Sequence, residues 1–394
     1  MAGEAIRLPE RPGTLVYGSL AALDADRWID LLKTETSSSD PAPVSIDMKI
    51  GVLDAYGKRV HNLQLRAGGE PKGWSAVIKA DELSGDVTFS SDKGGALFAR
   101  LEHFTLPEDS PQIKTQTPRQ PADVPAVDAV IERFTYRGKD LGHIEFLAQR
   151  EADAWRFDKL RVVNPEATLN AKGLWRSGLP SQSTLAFELE SRNTGALLAR
   201  VGYPDHVKAG ATKFTGSLAW QGPLLGIDIP TLSGDVELHA QDGQFLEVEP
   251  GIGKLISLMS LQALPRRIAL DFRDVFSKGF QFDRITARAH LDKGVMGIQE
   301  FRMRGSAADV QMSGQADLAH ETQDLKVRVV PSLGDTASTV VAIANPVAGA
   351  AALLAQRLLK DPLGRIFAFD YGVTGSWSDP KVAKLNQPVP VATP

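Results

Sequence analysis

The sequence contains no cysteine among its 394 residues, which excludes disulfide bonds, thiol catalysis and cysteine-ligated zinc. A strong charge bias is also missing, because the formal net charge is −4, and this argues against a nucleic-acid-binding protein. The first residues, MAGEAIRLPERPG, lack the apolar core of a secretory signal. We therefore expect either a cytosolic protein or the downstream part of a longer, exported one.

Signatures of catalysis are missing as well. The sequence has no Gly-x-Ser-x-Gly motif, and no two of its seven histidines stand at a metal-ligand spacing. The segment PGIGKL at 250–255 lacks the third glycine of a dinucleotide-binding loop, so a turn that opens a helix explains it better. These absences predict a protein that is not an enzyme and that holds no metal and no cofactor.

The dominant pattern is an alternation of apolar and polar residues with period two, which is typical of half-buried β-strands. For example, Val310, Met312 and Ala316 alternate with Gln311 and Gln315. Similar runs cover residues 44–52, 74–80, 144–148, 169–175, 185–189, 214–220 and 325–329. Because no long helices alternate with these runs, the pattern predicts a mainly β fold with an antiparallel sheet.

Short phrases recur along the chain. NAKGLW (170–175), FTGSLAW (214–220) and VTGSW (373–377) each place a glycine shortly before a tryptophan, and ELSGDVTF (82–89) resembles TLSGDVEL (231–238). Such repetition is typical of stacked repeat units, although chance recurrence of strand and turn residues is the alternative. Asp242-Gly243 and Lys293-Gly294 lie between apolar runs and are predicted to form hairpin turns, since glycine accepts a positive φ.

Three segments have helical patterns, at 23–33, 251–264 and 336–359. The second is apolar on most of its circumference and must be covered by protein or lipid. The third carries no charge from Thr336 to Gln356, which is long enough to span a bilayer. Asn345-Pro346 interrupts it, however, so two packed or interfacial helices are favoured over a single span.

The chain is predicted to divide at proline-rich segments. Residues 1–106 form an N-terminal β segment, 107–126 an extended proline-rich linker, 127–385 a C-terminal β segment with the helices at 251–264 and 336–359, and 386–394 a disordered tail. The linker separates the two β segments in this prediction.

Several of these stretches resemble the YhdP proteins of Gram-negative envelopes, which are large AsmA-like proteins more distantly related to TamB. The resemblance rests on ERFTYRGKDLGHIEF (132–146), ATLNAKGLWRS (167–177), SLAWQGP (217–223), the long run at 242–285 and YGVTGSWSDPKV (371–382). It is dense over 127–385 and looser over 1–106. It implies the C-terminal portion of a repeating β-groove protein, in which a long, curved antiparallel sheet forms an open hydrophobic groove.

The resemblance implies bridge-like lipid transfer, in which phospholipid acyl chains move along the groove between the inner and outer membranes. The apolar strand faces are then the predicted lining. They comprise Leu169, Ala171, Trp175, Leu185, Phe187, Phe214, Leu218, Trp220, Leu270, Phe272, Phe280, Phe282, Val310, Met312, Leu325 and Val327. A helix at the groove end is predicted to use Ile252, Leu255, Ile256 and Met259, and Arg266 and Arg267 are predicted to contact phosphate headgroups.

The implied partners are phospholipids, the two membrane surfaces and other envelope proteins, with no nucleic acid. The implied location is the periplasm, with anchoring to the inner membrane through an N-terminal segment that this chain lacks. One alternative is a periplasmic scaffold, similar to TamB, that assists outer-membrane β-barrel assembly through a sheet edge. Another is a closed β-sandwich enzyme or carbohydrate binder, which requires a polar pocket.

Overall fold

The computed structural model describes residues 13–25, 44–55, 57–70, 72–106, 120–224, 226–246, 280–331 and 368–386. Within them the chain is mainly β, as predicted, and its strands belong to an open 19-stranded sheet. The chain divides into two compact units, residues 1–183 and 184–394, which are described separately. The predicted helices at 251–264 and 336–359 lie outside the described residues, as do linker residues 107–119 and tail residues 387–394.

The N-terminal unit is built from consecutive strands. They are β1 (Thr14–Asp24), β2 (Val44–Ala55), β3 (Lys58–Glu70), β4 (Gly73–Lys79), β5 (Leu83–Ser90), β6 (Ala96–Thr105), β7 (Ala126–Tyr136), β8 (Lys139–Arg150), β9 (Ala154–Val163) and β10 (Ala167–Arg176). Each strand pairs with the next along the chain.

Two of these pairs are parallel, whereas the antiparallel prediction holds for the others. β1 pairs with β2 in parallel register, and β6 pairs with β7 in the same way. A parallel pair needs a connection long enough to return to the starting end of the first strand. Residues 25–43 and 106–125 provide those connections, and alternation of apolar residues does not distinguish a parallel strand from an antiparallel one.

The described end of the predicted linker is packed. Pro121–Asp123 forms a 3₁₀ turn in which Pro121 is fully buried, and Trp155 Nε1 donates a 2.9 Å hydrogen bond to the Pro125 carbonyl. The strands on the two sides of the linker, β6 and β7, are direct neighbours. Residues 120–125 therefore pack against the unit, because the Pro121 side chain is buried and the Pro125 carbonyl accepts a hydrogen bond.

The C-terminal unit continues with antiparallel strands. They are β11 (Gln182–Ser191), β12 (Val207–Gln221), β13 (Ser233–Phe245), β14 (Phe280–Asp292), β15 (Val295–Gly305), β16 (Ala308–Asp317), β17 (Thr322–Pro331), β18 (Phe369–Ser376) and β19 (Pro380–Asn386). From β12 onward each strand pairs with the next. Lys293-Gly294 forms the predicted turn between β14 and β15.

The hairpin turn predicted at Asp242-Gly243 is wrong. Both residues lie inside β13, where Asp242 has a φ of 54°. A Cβ on Gly243 would stand 2.4 Å from the ring of Phe282 on β14, so the glycine is needed for the aromatic side chain to cross the strand. The glycine therefore marks a close packing contact within a sheet. The sequence alone does not distinguish such a glycine from one in a turn.

One short helix in the C-terminal unit was not predicted. Helix α1 (Thr194–Val201) follows β11, and the Asn193 side chain caps it by accepting a 3.0 Å hydrogen bond from the Ala196 N–H. Gly202 ends it in the left-handed conformation, with its N–H bonded to the Ala199 carbonyl. The N-terminal helix predicted at 23–33 starts too early, because residues 23 and 24 belong to β1, and residues 26–43 lie outside the described residues.

The repeated phrase LSGDV occupies equivalent backbone positions in the two units. Gly85 lies near the start of β5 with a φ of 141°, and Gly234 lies near the start of β13 with a φ of 138°. A Cβ at Gly85 would stand 2.2 Å from the Arg100 carbonyl oxygen, and one at Gly234 would stand 2.0 Å from that of Ser217. Both glycines thus let a neighbouring strand approach closely, which gives the repetition a structural cause.

Candidate functional site

The candidate site in the C-terminal unit is one apolar face that continues from strand to strand. We define the C-terminal apolar face by the row of cross-strand partners that crosses it, because cross-strand partners share a face of the sheet. That row consists of Ala240, Ile285, Met303, Val310, Val329 and Phe369. It crosses β13 to β18 without a charged residue.

Most of the predicted lining residues of this unit lie on the C-terminal apolar face. They are Phe214, Leu218, Trp220, Phe280, Phe282, Val310, Met312, Leu325 and Val327. The ring of Phe187 packs edge-on against Phe214 with centroids 5.1 Å apart, and Leu185 packs against the cluster around Trp220. These side chains therefore share one face of the sheet, and their role as a lipid lining stays a prediction.

The centre of the C-terminal apolar face is closed to solvent. Val329 is 0% exposed, Val310 1% and Val327 2%, and they belong to one cluster that extends from β13 to β18. Burial of such a side chain contributes roughly 1.5–3 kcal/mol. This part of the face therefore acts as a packed core, which differs from the open lining expected around Met312.

The N-terminal unit has an apolar face of its own. We define the N-terminal apolar face by its row of cross-strand partners from β3 to β10. That row consists of Ala67, Ala76, Val87, Ala99, Ala129, Phe146, Leu160 and Ala171. Leu169 and Trp175, which were also predicted as lining, belong to the same face through their partners Val162 and Trp155.

Burial on the N-terminal apolar face falls toward β1. Ile131, Ile144 and Phe157 are buried, whereas Val16 and Leu20 on β1 are 45% and 42% exposed. Ile46 and Met48 on β2 are half-buried. The register places Val16 beside Ile46 and Leu20 beside Ile50, so the exposed residues continue the same apolar face to its edge. An apolar face that remains open to solvent at one side is suited to an apolar ligand.

The remaining predicted site residues lie outside the described residues. They are Ile252, Leu255, Ile256 and Met259 of the predicted groove-end helix, Arg266 and Arg267, and the lining residues Leu270 and Phe272. Their predicted roles stay predictions. Within the described residues, no helix is long and apolar enough to cross a membrane.

Charged residues occupy the opposite face of each unit. In the N-terminal unit, Lys159 and Arg161 hydrogen-bond to Glu145 and lower the pKa of its carboxyl. In the C-terminal unit, Lys213 lies 2.9 Å from Glu190 and 3.0 Å from Glu188, and these contacts raise the pKa of its ammonium group. Such exposed pairs add little stability, and they indicate a solvated face.

A cavity of about 510 Å³ lies where the pairing of β15 and β16 is interrupted, between Ile298 and Arg302. Its charged lining is largely self-paired, since Arg302 lies 3.4 Å from Glu300 and Arg328 lies 3.8 Å from Asp370. No histidine lines it.

The sequence interpretation missed α1 as a part of the site. Thr194 Oγ1, at the start of α1, lies 2.7 Å from Thr212 Oγ1 on β12 and donates to the Gly210 carbonyl at 3.0 Å. Thr212 pairs with Ala240 of the C-terminal apolar face, so the helix begins at one end of that face. The sequence does contain signs of this helix. Asn193 is suited to cap its start, Gly202 to end it, and Pro204 to prevent its continuation.

The sequence of this chain is similar to that of known proteins. A family model described as "YhdP protein" matches residues 1–382. The chain is 29% identical over 405 residues to the intermembrane phospholipid transporter YhdP of Escherichia coli (strain K12), covering 97% of this chain and 31% of that protein. The chain thus spans less than a third of the length of this relative. No solved structure matches it. Because the family model covers nearly the whole chain, the resemblance predicted from the sequence is confirmed, and the chain belongs to the YhdP protein family.

Proposed function

We propose that this chain takes part in phospholipid transfer between the inner and outer membranes of a Gram-negative envelope. The observation that carries the proposal is the continuous apolar face of the N-terminal unit, which is open to solvent at one side and opposed by a charged face. Acyl chains need no specific contacts, and each buried CH₂ contributes about 0.8 kcal/mol. A face of many apolar side chains therefore holds acyl chains while letting them slide along it.

The exposed part of the N-terminal apolar face is the proposed contact surface for acyl chains. Val16, Leu20 and Trp74 are 45%, 42% and 40% exposed there, and soluble proteins seldom leave a contiguous apolar surface of this kind without a ligand. The name of the E. coli relative, an intermembrane phospholipid transporter, supports phospholipid as the cargo. The proposed location is the periplasm, between the two membrane surfaces.

A scaffold role in outer-membrane barrel assembly is the second candidate. The last described strand, β19 (Pro380–Asn386), pairs with β18, and a strand edge can act as a template for a strand of another protein. The two candidates predict different bound material. Lipid transfer predicts phospholipid bound to the purified chain, and scaffolding predicts a stable complex with a barrel-assembly protein.

Lipid extraction from the purified chain, followed by mass spectrometry, tests the proposal first. A transfer assay between donor and acceptor vesicles then compares Leu65→Asp with Gln64→Asp. These neighbours on β3 lie on opposite faces, since Leu65 pairs with Ile78 on the apolar face and Gln64 is exposed. We expect Leu65→Asp to abolish transfer and Gln64→Asp to preserve it. Equal transfer by both folded variants contradicts the proposal.

A further inference from the structure

The described tryptophans of the N-terminal unit stand at one end of its strands. Trp74 and Trp155 lie near the start of β4 and β9, and Trp175 lies near the end of β10. Alternating strand directions bring these three positions to the same end of the unit. All three lie on the N-terminal apolar face, where Trp155 and Trp175 are direct cross-strand partners. In this unit the glycine-before-tryptophan phrase NAKGLW therefore ends at this edge of the face.

The indole N–H groups of this pair differ in their partners. Trp155 Nε1 donates to the Pro125 carbonyl, whereas Trp175 Nε1 is buried and has no acceptor. Trp175 as a whole is 7% exposed. An indole N–H is a donor only, and leaving a buried donor without an acceptor costs about 1–3 kcal/mol. A ligand acceptor beside Trp175 removes this cost.

The C-terminal unit repeats the arrangement independently. Trp220 near the end of β12 and Trp377 just after β18 stand at one end of its strands, since β12 and β18 run in the same direction. Trp220 Nε1 donates to the Pro223 carbonyl at 3.1 Å. Trp377 Nε1 is buried without an acceptor, like that of Trp175. Each unit therefore has one satisfied and one unsatisfied indole at the same end of its strands; the two are cross-strand partners in the N-terminal unit and lie six strands apart in the C-terminal unit.

The opposite end of the N-terminal unit has no such unmet donors among its described side chains. Arg59 there makes two hydrogen bonds to Asp54, at 2.8 and 2.9 Å. His61 Nδ1 lies 2.6 Å from Glu82. These polar groups hydrogen-bond to one another, so none of them needs a ligand as a partner. The two ends of the N-terminal apolar face therefore differ. An unmet hydrogen-bond donor lies at the tryptophan end, so a polar group of a ligand is expected there.

The chemistry of the missing acceptor follows from its surroundings. A water molecule needs two to four polar partners, and beside Trp175 the neighbouring indole of Trp155 is already committed to Pro125. A phosphate would bring a charge into an aromatic setting, at a high desolvation cost. A neutral carbonyl oxygen accepts one hydrogen bond and tolerates apolar neighbours, which fits the surroundings of Trp175.

We propose that the ester carbonyl groups of a diacyl phospholipid accept hydrogen bonds from Trp175 and Trp377. The glycerol-ester part of the lipid then lies at the tryptophan end of each unit, its headgroup emerges beyond that end, and in the N-terminal unit its acyl chains lie over the open apolar face. This inference rests on the proposed lipid-transfer function and adds the orientation of the lipid. Tryptophan favours the same depth at membrane interfaces, where one part of the ring is apolar and the N–H is polar.

Competition between diester and diether phosphatidylethanolamine of equal chain length tests the inference, because the diether lacks the carbonyls. The full chain is loaded from mixed vesicles, and the bound ratio is read by mass spectrometry. A neutral hydrogen bond is worth about a fivefold preference for the diester. Trp175→Phe and Trp377→Phe keep an aromatic ring and remove the donor, so each is expected to reduce the preference and the double variant to abolish it.

Trp155→Phe is the matched control, because its N–H already has a protein acceptor. It is expected to lower the melting temperature while leaving the diester preference intact. Equal binding of diester and diether by the unaltered chain overturns the inference while leaving lipid transfer in place. A loss of total binding in Trp175→Phe without a change in the ratio points to a phosphate acceptor and also overturns it. Absence of bound lipid of either kind overturns the proposed function itself.

Discussion

The two apolar faces share a construction and differ in how far the protein closes them. Val310 and Val329 in the C-terminal unit are 1% and 0% exposed, whereas Val16 and Leu20 in the N-terminal unit are 45% and 42% exposed. Both faces are built from the same alternating pattern and the same cross-strand rows. The comparison separates two uses of one architecture, a packed core that stabilises the chain and an open face that is free to take an apolar ligand.

The largest expected effect comes from placing a charge at the centre of the closed face. Val310→Asp buries a carboxylate among Met303, Val327 and Val329, so we expect a loss of at least about 4 kcal/mol in unfolding free energy. Denaturant unfolding followed by circular dichroism measures it. Val16→Asp, on the open face, is the control and is expected to cost less than about 1 kcal/mol. Similar losses in both variants contradict the distinction between the two faces.

Two methionines with similar burial, one on each apolar face, allow the closed and the open face to be compared directly. Met312 and Met48 are both half-buried on apolar faces, but Met312 pairs with the buried Val327 and Met48 with the half-buried Leu65. We expect Met312→Asp to lower stability by about 2–4 kcal/mol, because it introduces a charge beside the core. Met48→Asp is expected to keep most of the stability and to lower lipid binding. Melting curves and lipid loading of both variants decide the matter, and a stable Met312→Asp would count against a closed C-terminal face.

The faces were predictable from the sequence, and their closure was not. Alternation fixes which side chains share a face, so it placed Leu169, Phe214 and Val327 on the apolar side of their strands, where they lie. Alternation does not report what covers that face, and for this reason the sequence interpretation treated Met312 as part of an open lining. It also gives no strand direction, so the parallel pairs at β1–β2 and β6–β7 were missed. Helix α1 was missed because eight residues carry too few periodic positions, although its cap and terminator were visible.

The shared glycine provides a test in which the two units are expected to behave alike. Gly85 and Gly234 have nearly equal φ values, and an added Cβ at either meets a neighbouring carbonyl within 2.2 Å. Gly85→Ala and Gly234→Ala are therefore each expected to cost about 2–4 kcal/mol, through backbone strain and the forced separation of strands. Chemical denaturation of the two variants measures this. A large cost in one unit only would mean that the LSGDV phrases are not structurally equivalent.

The smallest expected effect concerns the charged face of the closed unit. Arg288 hydrogen-bonds to Glu300 and lowers the pKa of that carboxyl, with Arg302 adding a weaker attraction. A carboxyl whose pKa is lower in the folded state than in the unfolded state stabilises the fold above the unfolded value of about 4.3. That contribution is lost as the pH falls through the lower folded pKa, so its window lies below about pH 4.

Glu300→Gln is expected to leave the melting temperature at pH 7 almost unchanged, because the pair is solvated. It is expected to make the melting temperature fall less steeply as the pH is lowered into the acid range. Glu151→Gln in the N-terminal unit is the control, because it removes another exposed carboxylate, which lies 3.0 Å from Arg156. An acid limb that is unchanged in Glu300→Gln would show that the Arg288 pair does not contribute to folding, and the difference between the two units would then rest on their apolar faces alone.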